Sequence, residues 1–324
     1  MSKKRKVIIT LFVIVAAFNA WIITHHNIFA DPEQEVLKKI ISCCIIDAAY
    51  IGFVLGYERV VALPVELWQN RELIWKLALN DFKSRYAGSY LGIFWAFVPQ
   101  IVTVAVYCFI FSVGVRQDAT GHTTYPFVLW LVAGITPWFF FSEAWGSGTS
   151  AFLSYTYLVK KVVFKISILP IIKVVSALFI HFFFIAIVAV LMIALGYPPT
   201  VYWLQIPYFT CCTFLLVLGM SYVTASLTVF FRDIGQFIGI LMQIGIWLTP
   251  IMWHLDSLSR PLQILFKLNP IYYCVDGFRM AFLDNMWFFE HFYSTAYFWI
   301  FTVVMFIFGA VVFKKLKGHF ADVL

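Results

Sequence analysis

The order of apolar and polar positions predicts helices along most of this chain. Apolar stretches of about 20 residues, the length that a helix needs to cross a membrane, recur along the sequence with short charged segments between them. The first two extend from Val7 to Ile23 and from Ile41 to Tyr57 and predict a two-span hairpin. Six further core spans are predicted: Tyr90 to Val115, Phe127 to Ser150, Ile168 to Leu195, Tyr202 to Phe230, Ile234 to Trp253 and Phe292 to Phe313.

The segment from Trp68 to Tyr86 has a different pattern. With 3.6 residues per turn, its charged residues spread over several faces of a helix, whereas five large apolar residues share one narrow face. These five are Trp68, Trp75, Leu79, Phe82 and Tyr86. The pattern predicts a helix that lies on a membrane surface. Leu73 and Leu77 fall on the opposite side, so we expect lipid on one side of this helix and protein on the other.

Two short apolar stretches, Leu262 to Leu268 and Ile271 to Leu283, lie between the last two core spans. Each is too short to cross a membrane, and Asn269-Pro270 separates them. Backbone that does not span is tolerated at membrane depth only where protein or water covers it. The sequence therefore predicts a re-entrant pair of helices that enters from the outer face and lines a pathway.

The composition supports a membrane protein and explains the charge. Of 324 residues, 62% are apolar and 12% charged, and the mean hydropathy is +0.89, which excludes an ordinary soluble domain. If successive loops are assigned alternately to the two sides of the membrane, most of the 23 Lys and Arg residues fall on one side. The positive-inside rule then puts both termini in the cytoplasm. The smaller outer set includes Arg279. The net charge of +7 therefore needs no nucleic-acid partner.

The first apolar stretch has two interpretations. Lys3, Lys4, Arg5 and Lys6 followed by an apolar core also fit a secretory signal peptide. We favour an uncleaved anchor because no convincing small-x-small cleavage site follows.

Several catalytic signatures are missing from the sequence. It has no phosphate-binding loop of the form G-x-x-x-x-G-K-[ST], no H-E-x-x-H motif, and no Cys or His cluster with the spacing of a metal site. The six cysteines are expected to be reduced and buried. No catalytic residue, cofactor or metal is predicted on this chain, so any energy source must come from another subunit or an ion gradient.

Two basic segments on the predicted cytoplasmic side form a candidate docking face for a soluble partner. One is the surface helix, and the other is the loop from Ser154 to Pro170. The loop alone would favour a plain positive-inside segment, but the two segments together favour docking. The candidate docking residues are Arg71, Lys76, Lys83, Tyr157, Lys160, Lys161 and Lys165.

Arg232-Asp233 precedes the fifth core span at a predicted cytoplasmic turn. We interpret the pair either as a hinge that transmits motion or as an interfacial anchor. Gly235 and Gly239 follow it with the small-xxx-small spacing that permits close helix contacts.

Substrate contacts are predicted in two places. Glu143 is the one acid within a predicted core span, with a capping or protein-facing carboxylate as the alternative. Aromatic residues around the re-entrant pair are candidates for a sugar conduit because ring faces bind the CH faces of sugars; interface belts are the alternative. The candidate channel and gate residues are Glu143, Trp253, Tyr272, Tyr273, Phe278 and Trp287.

Several segments in order resemble the type-2 exporter permeases of the ATP-binding-cassette superfamily. They are SRYAGSYLGIFWAFVPQ, YPFVLWLVAGITPWFF, LVKKVVFKISILP, FFRDIGQFIGILMQIGIWLTPIMW and LNPIYYCVDGFRMAFL, and the resemblance covers residues 67–324. They are most similar to the branch that exports teichoic acids, O-antigens and capsular polysaccharides. GITPWFF and LNPIYYCVDGFR look most like the teichoic-acid permeases.

This resemblance implies an all-α polytopic membrane protein. An amphipathic interface helix over residues 62–89 would precede a six-span transmembrane domain over residues 90–324, with Leu262 to Leu283 as outer re-entrant helices. Residues 1–61, with the extra two-span hairpin, depart from the family, which usually begins near the interface helix. An even number of crossings leaves the core topology unchanged.

The resemblance also implies the partners and location. The permease would form a homodimer in the lipid of the bacterial cytoplasmic membrane and pair with two copies of a separate ATPase subunit, which would hold ATP and magnesium. The docking segments would contact that ATPase, Arg232 and Asp233 would transmit its motion, and the dimer interface would enclose a channel for a polyprenyl-diphosphate-linked glycan. Other hypotheses are a drug or lipid exporter of the same fold, a non-enzymatic membrane scaffold, and a membrane-embedded transferase, for which Glu143, Asp233 and Asp276 are only scattered candidates.

Overall fold

The computed structural model describes residues 3–24, 32–110, 125–160 and 164–324. Every regular element in these residues is helical, as the apolar pattern predicts. The α-helices are α1 (Lys3–Thr24), α2 (Pro32–Gln69), α3 (Arg71–Arg85), α4 (Val98–Phe109), α5 (Phe127–Thr149), α6 (Ala151–Ser154), α7 (Thr156–Val159), α8 (Leu169–Ala194), α9 (Ile206–Thr228), α10 (Asp233–Leu248), α11 (Arg260–Lys267), α12 (Pro270–Arg279), α13 (Phe292–Leu316) and α14 (Phe320–Val323).

Five helical segments in the described residues are long and apolar enough to cross a membrane. They contain α1, α5, α8, α9 and α13. Helices α4 and α10 are apolar but shorter, with 12 and 16 residues. A 3-10 turn over Gly92–Ala96 precedes α4, and part of the span predicted from Tyr90 to Val115 lies outside the described residues. The all-helical, multi-span fold is confirmed, and the number of six core spans stays a prediction.

Residues 1–66 form one compact unit and residues 67–324 a second. In the first unit, α1 and α2 run antiparallel. The Asn19 side-chain amide donates a hydrogen bond of 2.8 Å to Asp47 Oδ1, and the Tyr50 hydroxyl donates one of 3.3 Å to the carbonyl of Ile8. These contacts join the two arms of the predicted hairpin, and α2 continues beyond the predicted end at Tyr57.

The core of the second unit is a bundle of α5, α8, α9 and α13, against which α12 packs. Helices α9 and α13 cross at two glycines. A Cβ atom on Gly309 would lie 2.6 Å from the carbonyl oxygen of Gly219, so no larger residue fits there without a shift of backbone. Small residues at such crossings let two helices approach closely, and the resulting van der Waals packing holds them together in lipid, where the hydrophobic effect does not.

Helix α3 packs on α8 through Ile74, Ala78, Asp81 and Phe82. This buried stripe differs from the predicted apolar face, because Phe82 is buried but Trp75 is 56% exposed. Trp68, which the sequence pattern predicts on the same helix, lies at the end of α2 and is 72% exposed. Trp75 makes an edge contact with Phe179, at 5.3 Å between ring centroids. The protein-facing stripe is therefore rotated toward Ile74, which brings a carboxylate into it.

The helices of the second unit alternate in direction between two ends. The α3 end is formed by α3, the end of α5 and the beginning of α8, and the α12 end by the beginning of α5 and by α12. Side chains that the topology assigns to the inside, such as Lys83, Lys160, Arg232 and Lys314, belong to segments at the α3 end. Which side of the membrane this end faces stays a prediction.

The predicted re-entrant segment forms two short helices, α11 and α12, separated at Asn269-Pro270. Asn269 caps α12 by accepting a hydrogen bond of 3.3 Å from the backbone N–H of Ile271. Arg279, which the charge assignment places in an outer loop, is 3% exposed within α12. A rule that counts charges by position cannot detect a guanidinium whose three nitrogens each donate a hydrogen bond inside the protein.

Candidate functional site

The predicted docking residues that the structure describes lie exposed at the α3 end. Arg71, Lys76 and Lys83 project from α3, and Lys160 and Lys165 lie between α7 and α8. Tyr157 on α7 is 61% exposed. Lys161 lies outside the described residues. The two predicted halves of the docking face are thus on one end of the unit.

A buried carboxylate joins these two halves. The Tyr155 hydroxyl, at the junction of α6 and α7, donates a hydrogen bond of 2.7 Å to Oδ1 of Asp81 on α3. Asp81 is 6% exposed. The surface helix and the basic loop therefore contact each other directly, which their separation in sequence does not reveal.

Asp81 is also tied to a membrane-spanning helix. Nζ of Lys173, in the first turns of α8, donates a hydrogen bond of 2.6 Å to the same Oδ1 and lies 4.8 Å from the Tyr155 ring centroid. Burial alone would raise the pKa of Asp81, but the hydrogen bonds from Lys173 and Tyr155 outweigh it and lower the pKa below its ordinary value. Asp81 is therefore a carboxylate at neutral pH.

Arg85 extends the network to α5. Its Nη1 donates a hydrogen bond to Oε1 of Glu143, while its Nη2 lies 3.2 Å from Oδ2 of Asp81 at an ion-pair distance without hydrogen-bond geometry. Burial would lower the pKa of Arg85, yet the carboxylates of Glu143 and Asp81 raise it. Four charges, two of each sign, are thus shared among α3, α5 and α8, and together with Tyr155 we call them the Asp81 network.

Glu143 also borders a small cavity beside α4, α5 and α8. The cavity has room for about one water molecule and is lined by Gln100, Thr136, Glu143 and His181 among other residues. Oε1 of Gln100 and Nδ1 of His181 have no hydrogen-bond partner within the described part of the chain. The cavity is too small for a glycan, and the proposed contact of Glu143 with substrate stays a prediction.

At the α12 end, Arg279 connects three segments. It donates to the carbonyls of Trp130, Pro250 and Ile251 at 3.4, 2.9 and 2.9 Å. Its guanidinium lies 3.4 Å from a ring centroid of Trp130, whose other contacts include a stacked His254 ring at 4.1 Å. Gly134 makes room, since a Cβ there would lie 2.6 Å from Nη2 of Arg279.

Two of the predicted gate residues are core residues of this chain. Phe278 is fully buried, and Tyr273 is 4% exposed and stacks on Phe298 at 4.7 Å. The Tyr273 hydroxyl lies 3.0 Å from both the Tyr208 hydroxyl and the Thr295 hydroxyl. In this conformation these rings hold α12 against its neighbours, and their role in a channel stays a prediction.

The remaining gate candidates are closer to the surface. Trp253 donates a hydrogen bond of 3.0 Å to the carbonyl of Trp247, and Trp287 stacks with Phe289 at 5.8 Å. Both are partly exposed, as is Tyr272. The structure brings Tyr272, Tyr273 and Phe278 together on α12, and Glu143 is at the opposite end of α5.

Arg232 and Asp233 are exposed at the beginning of α10. No atom of the described residues lies within 4 Å of a Cβ built on Gly235 or Gly239. Phe237, Ile240 and Trp247 on the same helix are all more than half exposed, and Ile238 is its single buried residue. Helix α10 therefore presents a broad open face.

Sequence reasoning missed Asp81, Tyr155, Lys173 and Arg279 as a set of functional candidates. A signal was present for Lys173, because an ionisable residue within a long apolar helix marks a site by default. Tyr155 and Asp81 gave no such signal, since a tyrosine in a loop and an aspartate on a surface helix are ordinary. Their importance follows from a contact between residues 74 positions apart.

Comparison with known proteins supports an assignment for this architecture. The model of the family described as ABC-2 type transporter matches residues 72–283. An O-antigen export system permease protein RfbA of Klebsiella pneumoniae is 26% identical over 255 residues, which are 78% of this chain and 95% of that protein. A protein of the same name from Myxococcus xanthus is 28% identical over 227 residues, which are 69% of this chain and 85% of that protein.

Proposed function

The chain belongs to the ABC-2 type transporter family, and from this premise we propose that it is the permease of an ATP-driven exporter of lipid-linked cell-surface glycan. The observation that supports this proposal most is the family match over residues 72–283, which includes α3, the basic loop and α12. The similarity to permeases named for O-antigen export supports a polysaccharide as cargo. We include teichoic acid among the candidate polymers because the segments GITPWFF and LNPIYYCVDGFR resemble those of teichoic-acid permeases.

The partner in this proposal is a separate ABC ATPase that binds ATP and magnesium and docks at the α3 end from the cytoplasm. The exposed basic residues of α3 and the loop would pair with acidic groups of the ATPase, and Tyr157 would supply an exposed ring of the kind enriched in interfaces. Closure of two ATPase copies on ATP would push these segments and open the outer gate beside α12.

The second partner is another copy of this chain, which we place against α10. Gln236 and Gln243 are exposed on this otherwise apolar helix, close to Gly235 and Gly239 along its surface. Lipid would leave their amides unpaired, whereas a second helix can hydrogen-bond to them and approach closely over the glycines. This chemistry favours a protein partner over lipid at that face.

The test of the proposed function is affinity purification of the tagged, full-length permease from its native membrane in mild detergent. We expect a soluble ATPase with a phosphate-binding loop to be recovered at one copy per permease. A permease that is recovered alone, and that forms no cross-link to an ATPase in intact cells, would contradict the proposal and favour the transferase or scaffold hypothesis.

A further inference from the structure

The Asp81 network offers Arg85 two carboxylate partners, Glu143 and Asp81. In the arrangement observed, Oδ1 of Asp81 takes the hydrogen bonds from Tyr155 and Lys173, and Arg85 donates to Glu143. Oδ2 of Asp81 and Nη2 of Arg85 are buried, 3.2 Å apart, and neither has a hydrogen-bond partner within the described residues. A small rotation of the guanidinium would turn this ion pair into a hydrogen bond.

The two arrangements differ in what they connect. The observed one joins α3 to α5 through Arg85 and Glu143, and joins α3 to the α6–α7 junction through Asp81 and Tyr155. If Arg85 turns to Asp81, its bond to Glu143 weakens and α5 is released from α3. Lys173 and Asp81 are largely buried, and a buried charge loses much energy when it is left unpaired. Arrangements in which each of these charges keeps a partner are therefore favoured.

The trigger lies next to the proposed docking surface. Tyr155 is two residues from Tyr157, which is 61% exposed, and five residues from exposed Lys160. Any displacement of this short segment stretches the hydrogen bond from Tyr155 to Asp81. Loss of that bond leaves Asp81 with one fewer donor and increases its attraction for Arg85.

We propose that partner exchange by Arg85, between Glu143 of α5 and Asp81 of α3, transmits movement of the docking segment at Tyr155 into the membrane-spanning helices. In this scheme Asp81, Arg85, Tyr155 and Lys173 are positioning residues. The scheme gives Glu143 the same positioning role in place of the predicted contact with substrate. The inference rests on the proposed function, since it needs an ATPase that moves the segment. The partner exchange would be the two-state element by which the docking segment and the membrane-spanning helices influence each other.

The test uses the full permease with its co-purified ATPase and two variants, Tyr155→Phe and Glu143→Gln. Both variants keep Asp81, so the buried Lys173 keeps its ion-pair partner. The readouts are ATPase recovered per permease, ATP hydrolysis by the purified complex, and the host's own surface polysaccharide measured by sugar analysis of intact cells. Tyr90→Phe, at a tyrosine that is fully exposed, is the matched control.

We expect both variants to retain bound ATPase and ATP hydrolysis. Surface polysaccharide should fall about tenfold, because the loss of one hydrogen bond to a charged group changes an equilibrium constant by about that factor. Tyr90→Phe should export as the wild type does. Unchanged export in both variants would overturn the inference. Loss of ATPase binding would also overturn it, because the network would then serve docking or folding. Absence of ATPase from the wild-type purification is a separate result, obtained before any variant is made, and would refute the proposed function itself.

Discussion

Arg279 illustrates how one side chain can secure an irregular part of a membrane protein. The turn after α10 exposes carbonyls at Pro250 and Ile251 that no helix satisfies, and the guanidinium of Arg279 donates to both at 2.9 Å. Its planar group also stacks on Trp130, an arrangement that an ammonium group cannot reproduce. Arg279 therefore fixes the position of α12 relative to α5 and to the end of α10.

We expect Arg279→Lys to lower the stability of the permease by about 1–3 kcal/mol, because at least one buried carbonyl loses its donor. The measurement is the unfolding of purified protein in detergent. Arg260→Lys, at an exposed arginine that begins α11, is the control and should leave stability unchanged. Equal behaviour of the two variants would show that the backbone contacts of Arg279 do not determine the position of α12.

The sequence gives a partial account of these charged residues. Lys173 and Arg279 stand out as charges in apolar surroundings, so their burial could have been suspected. Their partners could not, because Lys173 pairs with a residue 92 positions away and Arg279 bonds to backbone carbonyls, which every residue possesses. Periodicity identifies a buried face but not the acceptor that lies opposite.

Among the longer helices of the second unit, α10 presents a broad open face, with Ile238 as its single buried residue. Its glycines have empty space in front of them in the described structure, and its exposed glutamines are unsuited to lipid. By contrast, Gly219 and Gly309 already form the close contact between α9 and α13 within this chain. The small-xxx-small spacing thus indicates close contact in both cases, but only the structure shows which contacts remain to be made.

We expect Gly239→Leu to weaken self-association about tenfold, since overpacking a close contact costs about 1–3 kcal/mol. No described atom lies within 4 Å of the new Cβ, so the leucine fits the single chain and any loss belongs to the dimer. Cross-linking in native membranes measures the dimer fraction. Gly146→Leu, at another exposed helical glycine with equally open space, is the control, and a similar loss in both variants would remove α10 from the interface.

Element boundaries were predictable where long apolar runs decide them. The predicted Phe127–Ser150 and Ile168–Leu195 agree with α5 and α8 within one residue at each end. The rotation of the buried stripe on α3 was not predictable, because large aromatic residues suit a lipid surface as well as a protein core. Trp68 and Trp75 are mostly exposed for that reason, and the helix contacts α8 through smaller residues.

At the scale of the whole molecule, the two compact units differ in their relation to the family. The family match begins at residue 72, within the second unit. One Klebsiella relative is matched over 95% of its own length but over 78% of this chain. The first unit is thus largely additional to what these relatives share with this chain.

We expect a permease that begins at residue 67, the first residue of the second unit, to retain its helical core and the proposed ATPase partner. The first unit supplies an even number of predicted crossings, so its removal leaves the direction of every later helix unchanged. The measurements are thermal unfolding in detergent and recovery of ATPase per permease, compared with the full chain. A truncated chain that does not accumulate in the membrane would show that the first unit is required for insertion or folding.

The length of α10 has a consequence for the lipid around the protein. Sixteen residues rise about 24 Å, less than the hydrocarbon thickness of about 30 Å in a typical bilayer. If α10 is the fifth core span, as the sequence predicts, a crossing of this length would compress the acyl chains beside it, and this strain would grow with acyl-chain length. The bilayer would therefore be thinnest next to the proposed dimer interface, where the proposed lipid-linked cargo would have the shortest distance to travel between leaflets.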